Sequence, residues 1–161
     1  MTTERSAETD TATARRLRRG FLIVAALIIA GTAVELATRQ HWTEPVQLIA
    51  WAAVLLLVIA LGLLHRPTSA KVRAVRIITI VVSVAALFGI LEHVLGNYDA
   101  APLDASYGEQ WDTLGEPFKW WLALTQTVGP SPALAPGVLI LAGLCLWFAT
   151  VGQPASSDAP E

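Results

Sequence analysis

Long apolar runs separated by short polar stretches dominate the chain. Four of them cover about 20–38, 46–64, 74–96 and 133–151. A helix needs roughly 20 mostly apolar residues to cross about 30 Å of hydrocarbon, and these runs are apolar all round rather than on one face. Alternating strands are absent from the pattern. Because backbone groups in lipid must be satisfied internally, we predict an all-α integral membrane bundle of four transmembrane helices.

Composition supports the same class and excludes several others. Hydrophobic residues make up 54% of the 161 positions and charged residues 15%, against about 25% charged in soluble domains. A disordered chain and a nucleic-acid binder are therefore excluded, and a single cysteine, Cys145, rules out an internal disulfide. No nucleophile, phosphate-loop or zinc-protease motif occurs. We expect no enzyme activity, no cofactor and no nucleic-acid partner; the lipid bilayer is the expected surrounding.

Arginine and lysine positions predict the orientation. Five arginines precede the first run and four basic residues surround the start of the third, whereas only Arg39 and Lys119 lie on the other side. Because basic loops stay cytoplasmic, both termini are expected on the cytoplasmic side of the membrane. Residues 1–19 are predicted to be a basic, disordered tail and residues 152–161 a second disordered tail.

A cleaved leader is the competing interpretation of the first run. The stretch Arg18-Arg19-Gly20-Phe21-Leu22 resembles the core of a twin-arginine signal. Cleavage after Ala37, however, would place Glu35 where a small residue is required, and three further apolar runs follow. We therefore expect the first run to remain as a span.

The segment 97–132 is predicted to face outward. It carries five acidic residues and one lysine, and its second half predicts a short interfacial helix that begins near Pro117 and ends before Gly129-Pro130. Phe118, Trp121, Leu122 and Thr125 recur there at helical spacing. An aromatic belt is the simplest role for its tryptophans; a lid over the polar residues below, or a surface for a partner, is the alternative.

Four polar residues fall at a similar depth near the outer membrane face once this topology is fixed: Glu35, His41, Glu92 and His93. Carboxylates in spans are costly. Small residues share the faces of Glu35 and Glu92, which predicts that both carboxylates point into the bundle. The functional hypothesis is a proton or cation site, for which carboxylate and imidazole ligands are suited. The alternative is a polar cluster that joins the first and third helices, with Arg39 as a further partner. No metal site is assigned.

Two function classes follow. The first is a non-enzymatic membrane component that packs against copies of itself or a membrane-protein partner. Its basis is the small size of the chain, its small-residue helix faces and the lack of catalytic spacing. The second is a small ion, proton or metal transporter that uses Glu35, His41, Glu92 and His93. The uniformly apolar centres of the spans favour the first class.

Short motifs also resemble a known family. They are Ala33-Val34-Glu35-Leu36 with His41 after it, Gly89-Ile90-Leu91-Glu92-His93-Val94-Leu95-Gly96-Asn97, and Pro132-Ala133-Leu134-Ala135-Pro136-Gly137. Together with the spans around them, over about residues 20–152, they resemble a family of small four-span bacterial inner-membrane proteins of uncharacterised function. The resemblance implies a membrane location and a compact helical bundle, and it implies no activity.

Overall fold

A computed structural model describes residues 2–153, with side chains from residue 12 onward, and all regular structure in that part of the chain is helical. Three short 3-10 turns, at Pro45–Gln47, Ala101–Leu103 and Gly108–Thr113, accompany the α-helices. The prediction of an all-α fold is confirmed. In chain order the helices are α1 (Thr2–Thr38), α2 (Leu48–Leu63), α3 (Ser69–Ala100), α4 (Glu116–Leu124) and α5 (Gly137–Ala149).

Three helical segments are long and apolar enough to cross a membrane: Ala12–Thr38, Pro45–Leu63 and Ser69–Leu103. They contain nearly all of the first three predicted spans. Leu27, Leu55 and Val84, which lie on these segments, are each more than 60% exposed. So much exposed apolar surface is unfavourable in water and is expected for side chains that face lipid. The three helices are compatible with a membrane protein.

The fourth predicted span is shorter than the sequence pattern indicated. Helix α5 has 13 residues, a length of about 20 Å, so four crossings are not confirmed. The pattern placed Pro132 and Pro136 near the first helical turn, whereas residues 133–136 form a turn and Pro136 is the residue that precedes the helix. Proline restricts the residue before it to extended conformations and has no N–H to donate, which favours a helix that starts only at Gly137.

Helix α5 nevertheless packs within the bundle. It runs antiparallel to α3, with Thr150 beside Arg76 at one end and Pro136 beside Gly89 at the other. The helices contact one another in the cyclic order α1, α2, α3, α5. A single core lies between them, built around Leu57, Val82, Ala142 and Leu146, among others. The arrangement is an up-down-up-down four-helix bundle.

The amino-terminal prediction was wrong in its description of the tail. Residues 2–19, expected to be disordered, are the first half of α1, which begins at Thr2. No glycine or proline interrupts the sequence between Thr2 and Arg19, and its alanines, glutamates and arginines favour helix. The opposite tail, predicted at 152–161, lies outside the described residues from position 154 onward; Gly152 and Gln153 follow α5 in a turn and a bend.

The segment predicted as an outward loop folds over one end of α3. Helix α3 continues to Ala100, so the connection starts at Ala101. The predicted short helix is present as α4, but its packed face differs from the expected one: Lys119, Leu122 and Ala123 are buried, whereas Phe118 and Trp121 are about half exposed. The buried face contributes to a second small core with Val94, Trp111 and Val128, among others. The segment is therefore a packed cap.

Two ends of the bundle are distinguished by charge. We call the end that carries Glu35, Glu92 and the cap 101–132 the acidic end. The opposite end, with Arg18 and Arg76, is the basic end. Arg76 donates to the Thr150 hydroxyl across 3.0 Å and lies 5.6 Å from the centre of the Trp147 ring, which joins α3 to α5 there.

Candidate functional site

The four polar residues singled out by their predicted depth line one cleft at the acidic end of the bundle. The cleft has a volume of about 450 Å³ and lies between α1, α2, α3 and the chain that leads into α5. Its rim carries the side chains of Glu35, His41, Glu92 and His93 together with Arg39. Its deeper wall is apolar and consists of small and branched residues, among them Ala53, Ala85, Ala86 and Leu139. The result is an amphipathic cleft, with charged side chains at its mouth and apolar side chains at its base.

Glu35 lies on the last turns of α1 and pairs with Arg39 one turn later. The Arg39 Nε atom donates to Glu35 Oε1 at 3.2 Å, and the two side chains are 60% and 46% exposed. An exposed pair of this kind contributes little stability, about 0.3–0.5 kcal/mol. The prediction that Glu35 points into the bundle interior was wrong. Its carboxylate is at the rim because the helix ends only one turn farther on.

The end of α1 positions His41. The Gln40 backbone has a positive φ of 51°, and the N–H groups of Gln40 and His41 donate to the carbonyl oxygens of Ala37 and Leu36. These bonds form a Schellman cap, in which the residue after the helix takes the left-handed conformation. The Trp51 Nε1 atom of α2 donates to the His41 carbonyl at 2.8 Å, which ties the turn to the next helix. Hydrogen bonds to both the N–H and the carbonyl group of His41 thus hold its backbone in place.

Glu92 and His93 reach the same cleft from α3. Adjacent helical side chains point about 100° apart, and both still line the cleft because it is broad. His93 Nδ1 lies 3.1 Å from the Pro132 carbonyl oxygen. A carbonyl oxygen only accepts, so Nδ1 donates and, in the neutral ring, Nε2 is left as an acceptor. Glu92 is exposed, so the prediction that its carboxylate points into the bundle interior was also wrong. It makes no hydrogen bond or ion pair with the residues that the structure describes.

The two imidazoles approach each other across the cleft. The His41 and His93 ring centres are 6.5 Å apart in an edge-to-face arrangement. Burial lowers the pKa of His41 below its ordinary value of 6.5, and the charges of His93 and Arg39 lower that pKa further. The neutral form of His41 is thereby favoured, which leaves one nitrogen of that ring able to accept a hydrogen bond.

This lowered pKa predicts a loss of stability in acid. The unfolded chain takes up the proton more readily than the folded one, so the stabilisation is complete above about pH 6.5 and decreases as pH falls through the folded pKa of His41. We expect a lower thermal midpoint at about pH 5.5 than at about pH 7.5, measured by circular dichroism in detergent. His41→Gln should reduce this difference. His65→Gln, at the basic end, should retain it. An undiminished acid effect in His41→Gln would contradict the assignment.

Metal binding is limited by the number of ligands. Within residues 12–153, whose side chains the structure describes, no group of three or more histidine, cysteine, aspartate or glutamate side chains is placed to hold a metal ion. The cleft offers the His41 and His93 pair, which is fewer than the three protein ligands typical of catalytic zinc sites. The carboxylates at the rim instead give the cleft mouth a negative charge, since Glu35, Glu44 and Glu92 outnumber Arg39.

The bundle is closed below the cleft. Leu57, Val82 and Leu146, which fill the centre of the core, are completely or almost completely buried. The buried polar side chains of the described chain lie elsewhere, at Thr79, Asn97, Lys119 and Thr150. Thr79 lies among the helices, but its hydroxyl donates to its own helix at the Arg76 carbonyl. The cleft therefore ends against the packed apolar side chains of the core.

Asn97 is a structural residue that the sequence reasoning missed. Its side chain is fully buried, donates to the carbonyls of Ala123 and Ser131, and accepts from the Ser131 N–H, at 2.7–3.0 Å. Ser131 and Pro132 line the cleft, so Asn97 and His93 together fix one of its walls. The available signal was a polar residue one turn beyond His93, directly after the third apolar run. Its partners are 26 and 34 residues distant, which spacing alone cannot identify.

Comparisons with known proteins give no relative. No protein-family model, no curated protein and no solved structure matches this chain. The function is therefore argued from the cleft and its charges.

Proposed function

We propose that this chain is a non-enzymatic component of the bacterial cytoplasmic membrane in which α1, α2, α3 and α5 all cross the bilayer and both termini are cytoplasmic. The distribution of basic residues supports the orientation, because Arg18 and Arg76 lie at one end and the acidic cap at the other. The antiparallel packing of α5 along α3 supports the fourth crossing, in which the turn 133–136 adds to its length. Membership of the small four-span family is part of this proposal.

The component acts, in this proposal, by holding the cationic group of a membrane partner in the cleft at the acidic end. The observation that carries it is the convergence of Glu35, His41, Glu92 and His93 on one amphipathic cavity. Hydrogen-bond acceptors predominate there: two carboxylates, the neutral His41 imidazole and the Pro132 carbonyl. Arg39, which also lies at the rim, is paired with Glu35. An amine or guanidinium attached to an apolar stem matches the acceptors at the mouth and the hydrocarbon below.

A simple amphiphile tests this recognition. The purified full chain in lipid nanodiscs is titrated with octylammonium. Binding is followed by the thermal midpoint and by tryptophan fluorescence, since the Trp51 indole is bonded to the His41 carbonyl. We expect Glu35→Gln/Glu92→Gln to weaken binding at least about tenfold, because charge-assisted hydrogen bonds contribute about 1.5–3 kcal/mol each. Octanol, which has the same stem without the charge, should bind more weakly than octylammonium.

A matched pair of variants separates the site from general surface charge. Asp99 and Glu109 are exposed acidic residues at the same end that do not line the cleft. Asp99→Asn/Glu109→Gln should therefore leave octylammonium binding within about twofold of the unmodified chain, because exposed charges are screened by salt. Equal losses in the two double variants, or full binding by Glu35→Gln/Glu92→Gln, would overturn the proposal.

Ion or proton transport is the second candidate, and the facing His41 and His93 rings are the observation in its favour. The packed core beneath the cleft opposes it, since Leu57 and Leu146 leave no polar route to the basic end. Reconstituted vesicles with an internal pH-sensitive dye distinguish the two. Proton flux above that of empty vesicles, lost in Glu92→Gln, would favour transport over static binding.

A further inference from the structure

A second pocket lies at the basic end of the bundle. It has a volume of about 270 Å³ and opens between the arginine-rich turns of α1 and the chain that follows α2. Its lining consists of three arginines, one histidine and two leucines: Arg15, Arg18, Arg19, His65, Leu22 and Leu64. Among the residues whose side chains the structure describes, no carboxylate contributes to this lining, and its three arginines make the pocket strongly positive.

Arg18 is held in place but is only partly satisfied. Its Nη2 atom donates to the Leu64 carbonyl at 3.1 Å, at the end of α2. Its Nε atom is buried and has no hydrogen-bond partner among the described residues. Leaving a buried donor unpaired is unfavourable, and more so when the group is charged. The Arg15 and Arg19 side chains are exposed beside it and make no hydrogen bond within the described chain. The pocket thus lacks an anionic acceptor.

The chemistry of that acceptor follows from the lining. Arginine pairs best with planar or tetrahedral oxyanions through two parallel N–H donors, and phosphate is the common one at a membrane surface. Both a free phosphate and a lipid headgroup have this chemistry. The leucines favour the lipid, because Leu22 lies near the start of the apolar part of α1 and Leu64 directly follows α2, at the level where acyl chains meet headgroups. The geometry points to a site for the phosphate group of an anionic phospholipid at the basic end.

Short-chain lipids test the site on the full chain in neutral detergent. Dioctanoyl phosphatidylglycerol and dioctanoyl phosphatidylcholine are titrated separately, and bound lipid is counted by native mass spectrometry. The phosphatidylglycerol should bind at least about tenfold more tightly. Arg15→Gln/Arg19→Gln should reduce its affinity about thirtyfold, the fold-change for two cations that each contribute about 1 kcal/mol.

The matched control is Arg16→Gln/Arg73→Gln. Both residues are exposed, and neither lines the pocket. Removing these two charges should weaken phosphatidylglycerol binding by less than about threefold, because exposed charges outside the pocket are screened. Equal losses in the two double variants would show diffuse attraction and overturn the site, as would equal binding of the two lipids.

Sodium phosphate and glycerol 3-phosphate complete the test by separating the two sources of phosphate. Weak binding of both, with tight binding of the lipid, supports the proposal. Soluble phosphate that binds as tightly as phosphatidylglycerol would overturn the assignment to lipid. The site is independent of the cleft at the acidic end, so either proposal survives the failure of the other.

Discussion

Asn97→Ala is expected to lower the free energy of unfolding by on the order of 3 kcal/mol and to release the cap 101–132 from the end of α3. The Asn97 side chain is fully buried and makes three hydrogen bonds to the backbone of Ala123 and Ser131. Removing it leaves the Ser131 carbonyl and N–H groups without partners among the described residues, and leaves the Ala123 carbonyl with only the long bond, 3.4 Å, from the Gln126 N–H. Each group that water cannot reach costs about 1–3 kcal/mol.

Two readouts check the Asn97 prediction. Denaturant titration in micelles measures stability, and limited proteolysis should cut the variant within 101–132 much faster than the unmodified chain. Gln110→Ala serves as the control, because Gln110 is exposed and its side chain makes one long bond, 3.3 Å, to the Ser106 carbonyl. We expect that control to change stability by less than about 0.5 kcal/mol. Similar behaviour of the two variants would contradict the role assigned to Asn97.

Gly129→Ala is the second large effect. Gly129 has a φ of +80°, and a Cβ atom there would lie 2.5 Å from Asn97 Cα and 2.6 Å from Asn97 Oδ1. The left-handed backbone costs a residue with a Cβ about 1–2 kcal/mol, and the overlap adds about 1–3 kcal/mol because the obstructing Cα atom is backbone that must shift. We expect a loss of roughly 3 kcal/mol in the free energy of unfolding from these two terms together.

Two other glycines divide this cost into its parts. Gly152 also has a positive φ, of 73°, but its Cβ would meet open space, so Gly152→Ala measures the backbone cost alone. Gly115 has an ordinary φ of −68° and open space, so its alanine variant should be nearly neutral. A Gly129→Ala protein as stable as Gly115→Ala would contradict the close approach to Asn97. The double variant with Asn97→Ala should lose less than the sum of the single losses, since the two residues are in contact.

Both variants bear on the cleft as well as on stability. Asn97 and His93 hold the backbone of Ser131 and Pro132, which forms one cleft wall. Loosening that wall should therefore weaken octylammonium binding even though neither substitution alters a charge at the cleft mouth.

Hydropathy predicted the bundle well because membrane insertion depends on length and apolar content, both of which are local in sequence. The same topology predicted that Glu35, His41, Glu92 and His93 lie at one depth, since alternating helix directions bring the end of the first helix beside the end of the third. The cleft that these residues line follows from that arrangement. The orientation of Glu35 was not predictable from its face, because the helix end that exposes it depends on the cap at Gln40.

The remaining features depend on partners distant in the chain. Asn97 meets Ser131 and Gly129, and Arg18 meets Leu64, only after the helices have packed. Helix ends are also set by local chemistry that periodicity does not report. Pro136 favours a start of α5 at Gly137 rather than earlier in the apolar run. The lack of glycine and proline before Gly20 allows α1 to begin at Thr2.

The proposed topology depends most on whether α5 completes the fourth crossing, and cysteine labelling tests this directly. Single cysteines are placed in a Cys145→Ala background at Ser106 in the cap, at Pro67 between α2 and α3, and at Gly152 after α5. Intact cells are then treated with a membrane-impermeant maleimide. We predict labelling at position 106 and protection at positions 67 and 152 until the cells are opened. Labelling at 152 from the same side as 106 would show that α5 does not cross, and it would contradict the four-helix membrane bundle.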